Sequence, residues 1–528
     1  MCPNYSAGLQ LQEKKTSGMA GVVGMDRYIK EILSARVYDV AIETPVHHAP
    51  ALSRRLNNQV LLKREDLQPV FSFKLRGAYN KMSRLSAEAA KRGVVAASAG
   101  NHAQGVALAG KKLGIPTVIV MPVTTPAIKI EGVRTRGGEV VLYGDTYNEA
   151  AEFAMQLVKE KGYTFVHAFD DRDVIAGQGT IGLEILRQHS GKLDAIFVPV
   201  GGGGLMAGVA AYIKYIRPEI RLIAVEAEDS ACLKAAMEAG KRVILSQVGL
   251  FADGVAVNQV GEETFAILKD CVDDVITVTT DEICAAIKDV FDDTRAVAEP
   301  AGALAIAGLK KAVREQGLEG QTLMAIVTGA NVNFDRLRHV SERAELGESR
   351  EAILAVTIDE KPGSFRSFSQ ILGKRNITEF NYRYGDPAAA KIFVGVEVAE
   401  GLPGRQQLLT ELSSAGLAVV DMTDNETAKL HIRHMVGGRN QQVINERVFR
   451  FEFPERPGAL MTFLDLLGGR WNISMFHYRN HGAAYGRVLT GVQVPPDDYE
   501  RFDEFLKLIR YPFQEETDNI AYKTFLAP

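Results

Sequence analysis

The chain has 528 residues, enough for about three or four domains and for large cores that need neither disulfides nor metals. Lys plus Arg number 61 and Asp plus Glu 65, and the resulting net charge of −4 excludes the basic footprint a nucleic-acid binder needs. The apolar share is 46% and the charged share 24%, and no run of about 18 apolar residues occurs, so the composition is that of a soluble globular protein without a membrane span.

The first 25 residues lack a basic start, an apolar run and a small-residue cleavage site. They read as a loose tail rather than a signal peptide, with Met19 and Met25 as alternative starts. Cys2, Cys232, Cys271 and Cys284 are scattered and form no C-x-x-C pair, which points to reduced thiols in the cytoplasm and away from a zinc ribbon.

From residue 26 to about 340, short β-branched runs alternate with helical spacing. The runs fall at 59–62, 94–97, 117–121, 139–143, 195–200, 222–226 and 324–328, and the helical patterns include 147–161 and 181–189. Continuous apolar strands separated by helices predict an α/β fold with a parallel sheet covered on both faces. Chemistry is expected where such strands end.

Four segments meet that condition. In Ser72-Phe73-Lys74-Leu75-Arg76-Gly77-Ala78, apolar neighbours flank Lys74, with Phe71 just before. Desolvation would lower its pKa and free a nucleophilic amine, whereas a snorkelling surface lysine is the plain alternative. Ser98-Ala99-Gly100-Asn101-His102-Ala103-Gln104-Gly105 leads from a strand into a helix whose first N–H groups attract an anion such as a carboxylate. The alternative is an ordinary turn capped by Ser or Asn. Gly201-Gly202-Gly203-Gly204-Leu205 follows a strand and can curl into a phosphate nest. Its rival is a dinucleotide fingerprint over Gly202, Gly204 and Ala207, with Glu226 at a strand end. Thr328-Gly329-Ala330-Asn331 ends the last strand, where the Thr328 hydroxyl could meet a ring nitrogen or cap a helix.

Residues 341–350 are polar, have no strand character and read as a boundary. Beyond them a pattern repeats at an offset of about 95 residues. A strand run at 352–358 precedes Lys361-Pro362-Gly363, and one at 448–453 precedes Arg456-Pro457-Gly458. Asn376-Ile377-Thr378 with Tyr382 matches Asn472-Ile473-Ser474 with Tyr478. Each copy predicts a small α+β unit of ferredoxin-like order, either a ligand-binding module or a duplicated packing unit. His431 and His434 sit in a strand-like stretch and would face opposite sides, so shared metal ligation is not expected.

In order and spacing, the four segments and the repeats resemble the fold-type II family of pyridoxal phosphate enzymes, and within it the biosynthetic threonine dehydratases, also called threonine deaminases. The resemblance runs from about residue 28 to the C-terminus. It implies a two-lobed parallel-sheet catalytic domain like that of tryptophan synthase β over 26–340. Two α+β ferredoxin-like, ACT-like regulatory modules follow, over 351–425 and 446–520. The implied cofactor is pyridoxal 5'-phosphate.

By position, Lys74 matches the lysine joined covalently to the cofactor, and Asn101 matches the residue beside its ring hydroxyl. Gly201, Gly202, Gly203, Gly204 and Leu205 match the phosphate loop. Thr328 stands where a serine usually partners the pyridine nitrogen. Ser98, Gly100, Asn101 and His102 are candidates for holding the substrate carboxylate. A neutral hydroxyl at Thr328 implies mild electron withdrawal and prompt loss of a β-hydroxyl. Ala99 stands where related racemases carry serine, which implies elimination rather than racemisation.

The implied reaction converts L-threonine, with serine as a second candidate substrate, to 2-oxobutanoate and ammonia, the committed step toward isoleucine. Isoleucine is implied as inhibitor and valine as antagonist at the C-terminal modules. Tyr382 and Tyr478 are either effector contacts or packing aromatics. A cytoplasmic homotetramer without metal, membrane or nucleic-acid partner completes the expectation. Two other readings remain at this point: an NAD-dependent oxidoreductase using the Gly202 fingerprint, and a non-enzymatic amino-acid sensor.

Overall fold

The computed structural model describes residues 22–249, 251–334, 336–430, 432–434, 440–454, 458–479, 485–509 and 511–527. Cys2, Met19, His431, Arg456 and Pro457 lie outside the described residues. The helix Val22–Leu33 starts within the expected tail and includes Met25. The chain divides into two compact units, the first ending at Ala344 and the second beginning at Glu345. The polar stretch from 341 is helical for most of its length, since the helix Arg336–Gly347 runs through it.

The first unit carries strands β1 (Val46–His48), β2 (Gln59–Arg64), β3 (Val94–Ala97), β4 (Thr117–Met121), β5 (Glu139–Leu142), β6 (Thr164–Phe165), β7 (Ala195–Pro199), β8 (Arg221–Ala227), β9 (Asp274–Val278) and β10 (Thr322–Val327). They form two sheets, in the orders β1-β2-β10-β7-β8-β9 and β5-β4-β3-β6. The pairings are parallel except at the β1–β2 edge. This is the two-lobed, largely parallel α/β architecture expected, and each of the seven expected runs is a strand.

Three strands gave no run in the sequence. β1 and β6 are very short, and β9 is an edge strand with half-exposed residues. The helix Tyr147–Lys161 has its expected limits, fixed by a capping box between Thr146 and Glu149. The helix Arg172–Gln188 begins nine residues before the expected 181. Its first half hides its apolar spacing behind glycines, which close packing demands. A Cβ on Gly177 would lie 2.7 Å from the Arg76 carbonyl oxygen and from the Gly77 Cα.

The crossing helix, Lys74–Met82, anchors a charged core. Arg76 donates to Glu65 at 2.8 Å and to Glu184 at 2.6 Å. Lys63 donates to Glu184 at 2.6 Å and to the Thr44 carbonyl at 2.5 Å. All four charged side chains are 0% exposed, so two cations and two carboxylates balance one another away from water. Burial lowers the Lys63 pKa. Burial acting alone would raise that of Glu65, but Arg76 and Lys63 outweigh it and hold the carboxyl below its ordinary value.

The second unit is one eight-stranded sheet. Its strands are β11 (Glu351–Asp359), β12 (Ile377–Arg383), β13 (Ala389–Glu397), β14 (Ala418–Asp421), β15 (Glu446–Pro454), β16 (Asn472–Arg479), β17 (Tyr485–Gln493) and β18 (Phe513–Glu515). The order is β14-β11-β13-β12-β16-β17-β15-β18, so each repeat contributes four strands in the β-α-β-β-α-β succession. Helices Ser364–Leu372 and Ala459–Leu467 follow glycines with φ of +92° and +86°, which explains the paired Pro-Gly turns. The repeats join edge to edge through antiparallel β12 and β16. Asn381 faces His477, with Phe380 opposite Tyr478 and Tyr382 opposite Phe476. The stretch around His434 is not a strand: Ile432–His434 is a 3-10 turn.

Candidate active site

Lys74 opens the helix Lys74–Met82, and the loop before it is fastened to the end of β10. Phe73 N–H donates to the Thr328 carbonyl at 3.3 Å, and Ala330 N–H donates to the Phe71 carbonyl at 2.9 Å. Phe71 takes a positive φ of 55° to make this turn and is exposed, so it does not bury the lysine as its apolar character suggested. The other flanking residues, Phe73 and Leu75, are buried. Lys74 Nζ donates to the Ala168 carbonyl at 3.2 Å. Burial lowers its pKa to about 8, against an opposing pull from Glu299. A free amine is therefore accessible near neutral pH, the property a nucleophile or proton acceptor needs.

The glycine loop lies against the same turn. Phe169, next to Ala168, packs its ring on Gly202, where a Cβ would fall 2.3 Å from ring carbons. A Cβ on Gly204 would lie 2.8 Å from the Phe169 carbonyl oxygen, and one on Gly201 would lie 2.9 Å from the Val255 backbone. Gly203 takes φ +92°. Only glycines fit here, and the helix Gly204–Ile216 then begins with Leu205 in its first turn. Its unpaired first-turn N–H groups make an anion cradle. His167 shapes the intervening turn, its Nδ1 accepting from Asp170 N–H at 2.8 Å. Asp170 in turn accepts from Glu262 and Glu263 N–H at 2.9 Å, tying the turn to the helix Glu262–Cys271.

The helix Asn101–Leu113 begins at Gly100 without a side-chain cap. Ser98 Oγ accepts from Gly100 N–H at 3.2 Å, and a Cβ on Gly100 would meet nothing within 4 Å. The helix start thus presents open space and uncapped donors, as carboxylate binding requires. His102 is placed differently from its neighbours. Its ring is buried, Nε2 donates to the Val166 carbonyl at 2.7 Å, and burial lowers its pKa to about 3. Any part it has in holding a carboxylate falls to its backbone N–H.

Asn101 is clamped at both ends. Its Nδ2 donates to Glu299 at 2.6 Å, and its Oδ1 accepts from Asn331 at 2.7 Å. Neither partner was singled out in the sequence. Asn331 carries no local signal of its role, and Glu299 looks like any acidic residue before a helix. Thr328 is 4% exposed and its hydroxyl donates to the Ala301 carbonyl at 3.1 Å, so it caps no helix. To serve an unprotonated ring nitrogen, that O–H must rotate off Ala301.

Glu226 accepts from Leu233 and Lys234 N–H at 2.7 and 2.9 Å, capping the helix Cys232–Ala239. This removes the acidic partner that a dinucleotide reading needs. In the second unit, the Tyr382 hydroxyl donates to Glu360, which also accepts from Asn472 of the other repeat at 2.9 Å. Tyr382 is buried, while Tyr478 is half-buried in the seam between repeats.

Residues 37–329 match the family described as "Pyridoxal-phosphate dependent enzyme". Residues 342–432 and 437–526 match the "C-terminal regulatory domain of Threonine dehydratase". The biosynthetic L-threonine dehydratase of Burkholderia multivorans is 57% identical over 503 residues, 95% of this chain and 99% of that protein. Among solved structures, the processed form of threonine deaminase isoform 2 from Solanum lycopersicum is 48% identical, with a TM-score of 0.61 over 65% of this chain and 99% of its own. Maize serine racemase is 32% identical, with a TM-score of 0.56 over 60% of this chain and 96% of its own.

Proposed function

The chain belongs to the pyridoxal-phosphate dependent threonine dehydratase family and carries that family's C-terminal regulatory domain, and from this premise we propose that it converts L-threonine to 2-oxobutanoate and ammonia, with Lys74 as the catalytic residue. The reading rests on one observation above all: residues 168 and 169 bring Lys74 and the glycine cradle together, one through the Ala168 carbonyl and the other through the Phe169 ring.

The residues present fit the cofactor. Gly201 to Leu205 would hold its phosphate, Lys74 its aldehyde carbon, Asn101 its ring oxygen and Thr328 its ring nitrogen. When bound, it supplies a sink for the electrons released as the α-proton leaves. Lys74 Nζ, whose pKa desolvation lowers to about 8, receives that proton. The uncapped start of the helix Asn101–Leu113 holds the substrate carboxylate, and open space over Gly100 admits it. Ala99 offers no hydroxyl from which to return a proton to the opposite face, which supports elimination over racemisation.

Regulation by isoleucine with valine as antagonist belongs to the same proposal. A groove between the repeats is lined by Pro362 and Phe365 on one side and by Leu467 and Trp471 on the other, apolar walls that suit a branched aliphatic side chain. Glu360, with Tyr382 and Asn472, links the two repeats beside it. Assembly as a homotetramer rests on the resemblance and is checked by light scattering.

The test is keto-acid formation from threonine with and without isoleucine, together with borohydride reduction and mass spectrometry to locate the tagged lysine. Threonine is expected to yield keto acid without D-amino acid, with the tag on Lys74; faster epimerisation than elimination would reject the reading. A chain ending at Arg350 is expected to keep turnover and lose isoleucine sensitivity, and inhibition persisting in that chain would reject the regulatory assignment. Gly202→Ala forces the Phe169 ring aside, an overpacking cost of about 1–3 kcal/mol, so cofactor retention should weaken about tenfold or more. Equilibrium dialysis reads this directly, and retention equal to wild type would contradict the cradle.

A further inference from the structure

Glu299 has the position of a helix cap but does not act as one. It directly precedes the helix Pro300–Gln316, yet its side chain makes no capping hydrogen bond. The carboxyl group turns instead to Asn101 Nδ2, at 2.6 Å, and is 4% exposed. The pocket that receives it exists because glycines line it. A Cβ on Gly329 would lie 2.4 Å from Glu299 Oε1, and one on Gly302 would lie 2.1 Å from the Gly329 carbonyl oxygen. A buried carboxyl group housed this closely and aimed at a cofactor-binding side chain calls for a role beyond packing.

We propose that Glu299 is a positioning residue, which fixes the Asn101 carboxamide in one orientation and, through its charge, sets how readily Lys74 gives up its proton. The inference rests on the assignment of Lys74 and Asn101 above. Asn101 offers two N–H bonds and one carbonyl. Glu299 takes one N–H, and Asn331 donates to the carbonyl at 2.7 Å while also holding the Val70 carbonyl at 2.8 Å. The amide can no longer flip, and one N–H remains for a cofactor oxygen.

The charge acts over a longer distance. Burial, helped by Asp253, raises the Glu299 pKa to about 7, opposed by Asn101, Lys129 and the Asn331 N–H. The charged groups facing it are Lys74, Lys129 and Asp253; Lys129 pairs with Asp253 at 2.7 Å, and Arg336 reaches Asp253 at 3.8 Å. As pH rises through 7, Glu299 becomes negative and favours the protonated form of the Lys74 nitrogen. As pH falls, the carboxyl is neutralised and that restraint is lifted.

Glu299→Gln keeps an acceptor for Asn101 and removes the charge. In the holoenzyme, the pH titration of the cofactor's visible absorbance and the kcat profile should lose the inflection near 7 or move it by about one pH unit or more, with KM little changed. Glu299→Asp restores the charge but withdraws it from Asn101, so the inflection should return while cofactor retention falls about tenfold. A Glu299→Gln titration that superimposes on wild type, with Lys74 still tagged by borohydride, overturns the proposal. Should Glu299→Gln fail to fold, a Glu299→Asp titration without the inflection overturns it as well. A wild-type tag on any other lysine overturns the Lys74 assignment itself, and this proposal with it.

Discussion

Lys74→Ala is expected to reduce threonine turnover by about 10³-fold, the scale of losing a positioned proton acceptor, and to abolish the borohydride tag. The argument is local. Lys74 Nζ has the Ala168 carbonyl as its protein partner at 3.2 Å, and burial lowers its pKa to about 8. Lys63 is buried more completely, but its three donors go to Thr44, Glu184 and Gln188, so it cannot substitute. Steady-state kinetics and peptide mapping read the two effects separately. Activity within tenfold of wild type would remove Lys74 from the reaction.

Glu184→Ala should destabilise the first unit by about 3–5 kcal/mol, because it strands a buried cation. Lys63 would then hydrogen-bond only to the neutral Thr44 carbonyl and Gln188 side chain, and two cations would share the single Glu65 carboxylate. The paired change Lys63→Met with Glu184→Leu leaves Arg76 and Glu65 balanced. It should therefore melt at a higher temperature than the single variant despite altering more atoms. A thermal melt in which the double variant is no better than the single would show that the network does not act as a charge-balanced set.

What the sequence reveals and what it hides divide along a physical line. β3 and β4 were found at their full length because both are buried on two faces and read as unbroken apolar runs. The glycine loop was legible because no other residue tolerates those contacts. Lys74 stood out only through its neighbours, and one of those, Phe71, proved exposed. Glu299 meets Asn101 across 198 residues of chain, and Phe169 reaches Gly202 from a short turn after a two-residue strand. Such pairings are set by tertiary closure and leave no local periodicity. The partner of the buried His102 ring is hidden for the same reason: its acceptor, the Val166 carbonyl, is 64 residues away.

The β12–β16 seam has the self-complementary form of a two-fold dimer contact, with Phe380 and Tyr382 of one repeat meeting Tyr478 and Phe476 of the other. Had the halves been separate subunits, that contact would dissociate on dilution. Here both edges belong to one polypeptide, and tethering gives them an effective concentration on the order of millimolar. The pairing therefore persists however little enzyme a cell makes. Duplication also frees the halves to diverge, since Glu360 bridges to Asn472 while Asn376, the counterpart of Asn472, bonds Glu397 within its own repeat. Two unequal halves give the seam two different polar environments, which a strictly symmetric pair cannot do.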